Sequence, residues 1–218
     1  MKQKNDPASR VDQAATRRVF LRHATMGLAV GIAGMVLGKP SEAHAAERKS
    51  GKVLIAYYSW TGSTREVASQ IQKLAGGDLF ELRTTHSYPA EYRATTHQAK
   101  RELEEGFRPV LTTRVADMAA YDTVFVGFPN WWGTLPMAFF SFFEQYPLAG
   151  KTVIPFCTHE GSRFGNSLED LRAQCGNARI LEGLAIRGGG VERVARESVR
   201  QEIAQWLRGL GLASDGSA

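Results

Sequence analysis

Four hydroxyl side chains and a glycine fall within six residues, at Ser59-Trp60-Thr61-Gly62-Ser63-Thr64. An apolar run precedes them and a helical pattern follows. Free backbone N–H groups and the positive end of a helix dipole make such a turn an anion site. The hydroxyls add donors for phosphate oxygens, and Gly62 lets the backbone approach closely. The loop has no lysine, and neither the Walker pattern nor G-x-G-x-x-G is present. Nucleotide triphosphate cleavage is therefore not expected, and the donor set suits a tightly held monophosphate. An ordinary helix cap built from Ser and Thr is the competing reading.

Two further loops carry unusual compositions. Pro129-Asn130-Trp131-Trp132-Gly133 directly follows an apolar run. A flat heteroaromatic ligand would stack on an indole while loop amides and Asn130 met its polar edge. Packing of both indoles over the sheet edge is the alternative. Thr158-His159-Glu160-Gly161-Ser162-Arg163-Phe164-Gly165-Asn166 would form the far wall of the same pocket through Thr158, His159, Gly161, Ser162, Phe164 and Gly165. For His159 and Arg163, solvated surface competes equally. His86 and His97 read as surface, and the phenylalanines at 139, 140, 142 and 143 as core. No carboxylate/His cluster suggests a metal site, and two cysteines cannot build a four-ligand zinc site.

The elements that must position these loops alternate strand and helix. Lys52–Tyr57 is a near-continuous apolar run, as in a parallel strand buried on both faces. Val67, Ile71 and Leu74 recur at helical spacing before Gly76-Gly77. A second strand is expected over 78–83, a helix over 90–105 and a third strand over 121–128. Pro136 suits the first turn of a helix running to Gln145. A fourth strand follows over 152–158, a helix over 167–175 and a fifth strand over 179–186. Val194, Val199, Ile203, Trp206 and Leu210 mark one C-terminal helix. The pattern is a doubly wound α/β sandwich with a five-stranded parallel sheet and helices on both faces. In such sheets, ligands bind beyond the carboxyl ends of the strands.

The 218 residues carry a net charge of +5, which at face value hints at nucleic acid or an anionic membrane. Much of that charge sits in the first 45 residues. Arg17-Arg18-Val19-Phe20-Leu21 precedes a short, glycine-rich apolar run, and Ala43-His44-Ala45 supplies an A-x-A cleavage pattern. The run is too short to span a bilayer, which needs about 20 residues. Residues 1–45 are expected to be a cleaved twin-arginine (Tat) signal; a Sec signal with an accidental arginine pair and an uncleaved anchor are the alternatives. Residues 46–218 keep twenty basic and nineteen acidic residues, so the nucleic-acid hint largely disappears. The expected layout is a signal at 1–45, one domain at 46–212 and a polar tail at 213–218. Cys157 ends a strand and Cys175 ends the next helix. Nine helical residues rise about 13 Å, beyond the ~4.4–6.8 Å a disulfide allows, so two free, buried thiols are expected.

The Ser59–Thr64 loop after the first strand resembles the phosphate loop of flavodoxins. Tyr88-Pro89, Tyr92, Ala99-Lys100, Glu102, Arg108-Pro109, Tyr121-Asp122, Gly127–Gly133, Gly150-Lys151 and Pro155–Thr158 are also similar to exported and bacterial flavodoxin-like proteins. The resemblance covers about residues 52–187. It implies strand order 2-1-3-4-5, non-covalent FMN and electron transfer. Ser59, Trp60, Thr61, Gly62, Ser63 and Thr64 would then form the FMN phosphate site. Pro129 to Gly133 and Thr158 to Gly165 would flank the flavin ring. The chain departs from the family at Asn130, where a hydrophobic residue is common. It also departs in charge, since flavodoxins are strongly acidic.

These readings imply a periplasmic electron-transfer flavoprotein, folded before export through the Tat translocase. Its partner would be a redox protein or a quinone, with no nucleic acid and no permanent membrane anchor. An FMN-dependent NAD(P)H or quinol:quinone oxidoreductase on the same fold is the alternative. A flavin-free interaction module is a third reading.

Overall fold

A computed structural model describes residues 51–213. The expected signal and its cleavage site lie outside the described residues, as do residues 214–218. Among the described residues no helix is long and apolar enough to cross a membrane.

The elements follow one another as β1 (Lys52–Tyr57), α1 (Ser63–Ala75), β2 (Asp78–Glu81), α2 (Tyr92–Glu104), a 3-10 turn (Met118–Ala120), β3 (Tyr121–Pro129), α3 (Met137–Gln145), β4 (Thr152–His159), α4 (Ser167–Cys175), β5 (Arg179–Ile180), β6 (Leu184–Arg187), α5 (Val191–Val194) and α6 (Glu197–Gly209). All named strands pair in parallel, in the order β2-β1-β3-β4-β5, with β6 also on β4. This is the flavodoxin-like order that the resemblance implied.

The pleat divides the apolar residues between two faces. Leu54, Ala56, Val124, Val126, Phe128, Val153 and Cys157 belong to one core, with Phe139, Phe142 and Phe143 of α3 and Leu171 and Cys175 of α4. Ile55, Tyr57, Phe125, Ile154 and Phe156 alternate into the other, with Val67 and Ile71 of α1 and Ile203 and Leu207 of α6. Phe139, Phe142 and Phe143 are buried, as their helical spacing suggested, and Phe140 packs against them partly buried.

Four local expectations are corrected. The fifth strand is two short pieces, not one. The Leu181 N–H donates to the Val153 carbonyl at 2.9 Å. Alternation then turns the amide positions of Val153, Pro155 and Cys157 toward this edge. Pro155 has no N–H to give, and the pairing breaks opposite it, at 181–183. The C-terminal helix is also broken. Arg196 takes extended backbone (ψ 148°) between α5 and α6, and the Val194 carbonyl accepts from the Gln70 side-chain amide at 2.9 Å. Pro136 caps α3 with ψ 145° and lies just outside its first turn. Ala213, expected in the polar tail, packs half-buried against the second core.

Cys157 and Cys175 are free and buried. Burial pushes each thiol up to about 12. A raised thiol pKa leaves the native state neutral where the unfolded chain ionises. Stability is therefore expected to be level below the unfolded thiol value near 8.5 and to fall as pH rises from there toward 12. Each thiol removes about 1.4 kcal/mol per pH unit in that window. Urea melts of wild type and of Cys157→Ala/Cys175→Ala at pH 7 and pH 10 measure it; equal alkaline losses in both would show that the thiols contribute nothing.

Candidate functional site

The carboxyl ends of β1, β3 and β4 finish at one level, because Tyr57 pairs with Gly127 and Pro129 with Thr158. The three chemistry-bearing loops therefore start side by side.

The first loop runs from Tyr58 to Gly62. Gly62 caps α1 with φ +95°, a conformation that side chains resist. A Cβ at Gly62 would lie 2.9 Å from the Val191 methyl group. Among the described residues, the backbone N–H groups of Trp60 to Thr64 donate to no protein acceptor. The Ser59 hydroxyl accepts from the Arg65 N–H at 3.2 Å and keeps its own proton to donate. Thr64 and Thr158, both buried, share a hydrogen bond of 2.9 Å between their hydroxyls. One hydroxyl proton is used there and the other is free. Thr61 is exposed and Ser63 buried. The result is a row of neutral donors at a helix N-terminus, matched in number and type to a phosphate monoester.

The second loop is a tight reversal. Trp131 and Thr134 exchange two backbone hydrogen bonds of 3.0 Å, and the residues between them, Trp132 and Gly133, have φ of +54° and +84°. Positive φ at both central positions is the geometry of a type I′ turn. For Trp132 that conformation is strained. Its indole N–H donates to the Thr96 carbonyl at 2.9 Å, and the Lys100 ammonium lies 5.4 Å from its ring centroid. The residue remains 54% exposed. Trp131 is half-buried, edge-on to Tyr88 at 4.8 Å, Tyr58 at 5.6 Å and Trp60 at 6.5 Å.

The third loop is bound to the second. Asn130 donates through Nδ2 to the Arg163 carbonyl at 2.5 Å and accepts from the Gly133 N–H at 3.0 Å. The Asn166 N–H donates to the Gly133 carbonyl at 2.7 Å, and the Asn130 N–H to that of Thr158 at 2.8 Å. This is why a polar residue serves at 130. Asn130→Ala is expected to destabilise the fold by about 1–3 kcal/mol, since it removes two hydrogen bonds that contribute about 0.5–1.5 kcal/mol each. Asn130→Asp, which keeps the acceptor for Gly133, is expected to lose less. Chemical denaturation checks both, and an unchanged midpoint for Asn130→Ala would remove the clamp.

His159 is buried and shapes its own loop. Its Nδ1 accepts from the Gly161 N–H at 2.9 Å, so the neutral ring carries its proton on Nε2. Burial, then the nearby Arg163 charge, hold its pKa below the ordinary value. Phe164 turns inward to Phe128 at 6.3 Å. Ser162, Gly161 and Gly165 are exposed. The structure thus brings all three expected loops together while giving His159, Phe164 and Asn130 supporting contacts.

Two parts of this surround were not among the expected site residues. Tyr58, Tyr88 and Tyr92 form an aromatic wall with Trp60 and Trp131. The Tyr88 hydroxyl bonds buried Glu102, which also accepts from Gln98 at 2.8 Å. Burial pushes both the Tyr58 and Tyr88 phenols up. The segment 188–194, which packs on Gly62, was the second. Its Gly188-Gly189-Gly190 run was the available signal. Among the described residues no group of His, Cys, Asp and Glu could hold a metal ion.

A family model described as flavodoxin matches residues 52–207. A candidate flavoprotein from Bacteroides eggerthii is 28% identical, with a TM-score of 0.63 over 74% of this chain and 98% of that one. Another, from Bacteroides uniformis, is 29% identical, with a TM-score of 0.63 over 73% and 99%. A flavoprotein in complex with FMN from Lactobacillus acidophilus shares the fold at 22% identity, with a TM-score of 0.54 over 67% and 99%. No curated protein matches. The matched span runs from the first residue of β1 into α6, through all three loops, and the chain belongs to the flavodoxin family.

Proposed function

We propose that this chain binds FMN non-covalently and carries electrons outside the cytoplasm, after export through the Tat route. One observation carries the cofactor reading: the N–H groups of Trp60 to Thr64, which donate to no protein acceptor among the described residues and lie among hydroxyls at the start of α1. They fit a phosphate monoester and would be costly to bury unpaired. Ser59, Thr61, Gly62, Ser63 and Thr64 would hold the phosphate. The loops Pro129–Gly133 and Thr158–Gly165 would flank the ring system. When bound, FMN supplies the redox chemistry.

The chain's own residues bind and orient. The Asn130 clamp fixes the distance between the flanking loops, and the aromatic wall around Trp131 excludes water behind them. His159 shapes its loop, with its Nδ1 held by the Gly161 N–H. The family relationship and the FMN complex of a structural relative support this reading. The arginine pair and A-x-A pattern of residues 1–45 support export.

The purified protein is expected to be yellow, to release FMN on denaturation and to rebind it. Reductive titration should show the bound flavin cycling without a small substrate. Colourless protein that ignores added FMN would overturn the proposal, and rapid turnover of a quinone with NAD(P)H would favour the oxidoreductase. Exported protein should begin at Ala46, and Arg17→Lys/Arg18→Lys should hold it in the cytoplasm.

A further inference from the structure

We propose that the rim beside the candidate FMN site, made by the loop after β4 and the segment after β6, docks an acidic redox protein. The proposal rests on the electron-transfer reading above and names the chemistry of the partner. Residues 160–163 and 187–196 carry Arg163, Arg187, Arg193 and Arg196 against two glutamates, Glu160 and Glu192. All four arginines are exposed. The ion pairs among the described residues engage Arg65, Arg83, Lys100, Arg108 and Arg200, and none of these four.

The backbone gathers the charges. His159 pairs with Arg187 across β4 and β6, and the Gly188 N–H donates to the His159 carbonyl at 2.8 Å. The charges of Arg163, Glu160 and Arg187 all reach the His159 ring, two positive against one negative. The Arg193 side chain lies over Gly189. Arg163 itself has φ +52°, and its carbonyl is held by Asn130. Arg163 and Arg187 are thus fixed at the loop that would flank the flavin, and Arg193 follows on the adjoining segment.

Twenty basic and nineteen acidic residues leave residues 46–218 near neutral, so this excess is local. A local field of one sign beside a redox centre steers an opposite charge and raises the association rate. On the second loop and at the start of α2 stand Trp132 and Tyr92, 54% and 65% exposed. Exposed Trp, Tyr and Arg together are the residue types that dominate binding energy at protein interfaces. An acidic patch with an apolar centre is the complementary surface.

The test uses the loaded protein and two probes, an acidic plant-type [2Fe–2S] ferredoxin and a basic c-type cytochrome. Affinity is measured by surface plasmon resonance at low and physiological salt. The acidic probe is expected to bind at least about tenfold tighter than the basic one at low salt, with the advantage shrinking as salt screens it. Arg163→Glu/Arg187→Glu/Arg193→Glu should abolish that preference, while Arg208→Glu, in α6, should keep it. Flavin content, read from the absorbance of each variant, reports separately on FMN binding, so a failed cofactor reading is distinguishable from failed docking. Arg187→Gln alone covers the case of a misfolded triple variant and should weaken the acidic probe measurably. Tighter binding of the basic probe, an unchanged preference in the charge-reversed variant, or binding only to vesicles of anionic phospholipid would each overturn the proposal.

Discussion

Thr61→Val/Thr64→Val is expected to lower FMN affinity by at least about a hundredfold. Hydrogen bonds to a charged group contribute about 1.5–3 kcal/mol each, and two such bonds are removed. The two positions are separable. Thr61 is exposed, and the structure gives its hydroxyl no protein partner, so Thr61→Val alone should weaken binding without changing the stability of the flavin-free protein. Thr64 is buried and bonded to Thr158. Its replacement also strands the Thr158 hydroxyl, adding about 1–3 kcal/mol of destabilisation. Thr61→Ser/Thr64→Ser keeps both donors and should bind close to wild type. Fluorescence titration of flavin-free protein with FMN measures all four. Wild-type affinity in the double valine variant would remove the hydroxyls from the phosphate site.

Gly165→Val is expected to destabilise the fold by about 3 kcal/mol or more and to release bound FMN. A Cβ there would lie 2.6 Å from the Gly133 carbonyl oxygen and 2.9 Å from its Cα. Both are backbone atoms in a two-residue turn, so neither has a rotamer to yield. Gly165 also has φ +54°, which costs an L-residue about 1–2 kcal/mol. Gly106→Val separates the two causes. Gly106 has φ +62°, but nothing lies within 4 Å of its Cβ position. It should show the conformational cost alone, and Gly165→Val should exceed it by the clash. For a domain of this size each kcal/mol shifts Tm by about 2–4 °C, so a loss near 10 °C is expected at Gly165. Equal shifts in the two variants would mean that the loops do not touch.

Both experiments probe a site whose parts differed in legibility. The loop proposed to hold the phosphate was readable because its features are local: hydroxyls, a glycine and a helix start occupy six consecutive residues. The strands were readable for the same reason, since burial on both faces leaves continuous apolar runs such as Val53–Tyr57. α2 was expected over 90–105 and begins at Tyr92. Its start is set by Glu91, whose carboxylate accepts from the Arg93 and Ala94 N–H groups; glutamate is not a usual cap, so composition did not mark it. The broken fifth strand was hidden differently. Pro155 is plain in the sequence, but its missing N–H matters only on the side where the last strand pairs.

The flanking loops mark the boundary. Their residues drew attention by type, two adjacent tryptophans and a glycine-rich turn, yet their tasks were not in the residue types. Asn130 reaches the Arg163 carbonyl thirty-three positions away, and Gly165 is required by the backbone of Gly133. Phe164 and His159 have types that suit a ligand, and the fold uses them for packing and loop shape. The sequence by itself determined the alternation of strand and helix, the carboxyl-edge location of the three loops and the donor-rich composition of the first. Tertiary structure alone decided the spacing of the loops, the aromatic wall behind Trp131 and the gathering of exposed arginines on one rim. Local pattern encodes burial and backbone conformation, which depend on near neighbours. Clamps, clashes and charge clusters depend on strands that meet only when the sheet has formed.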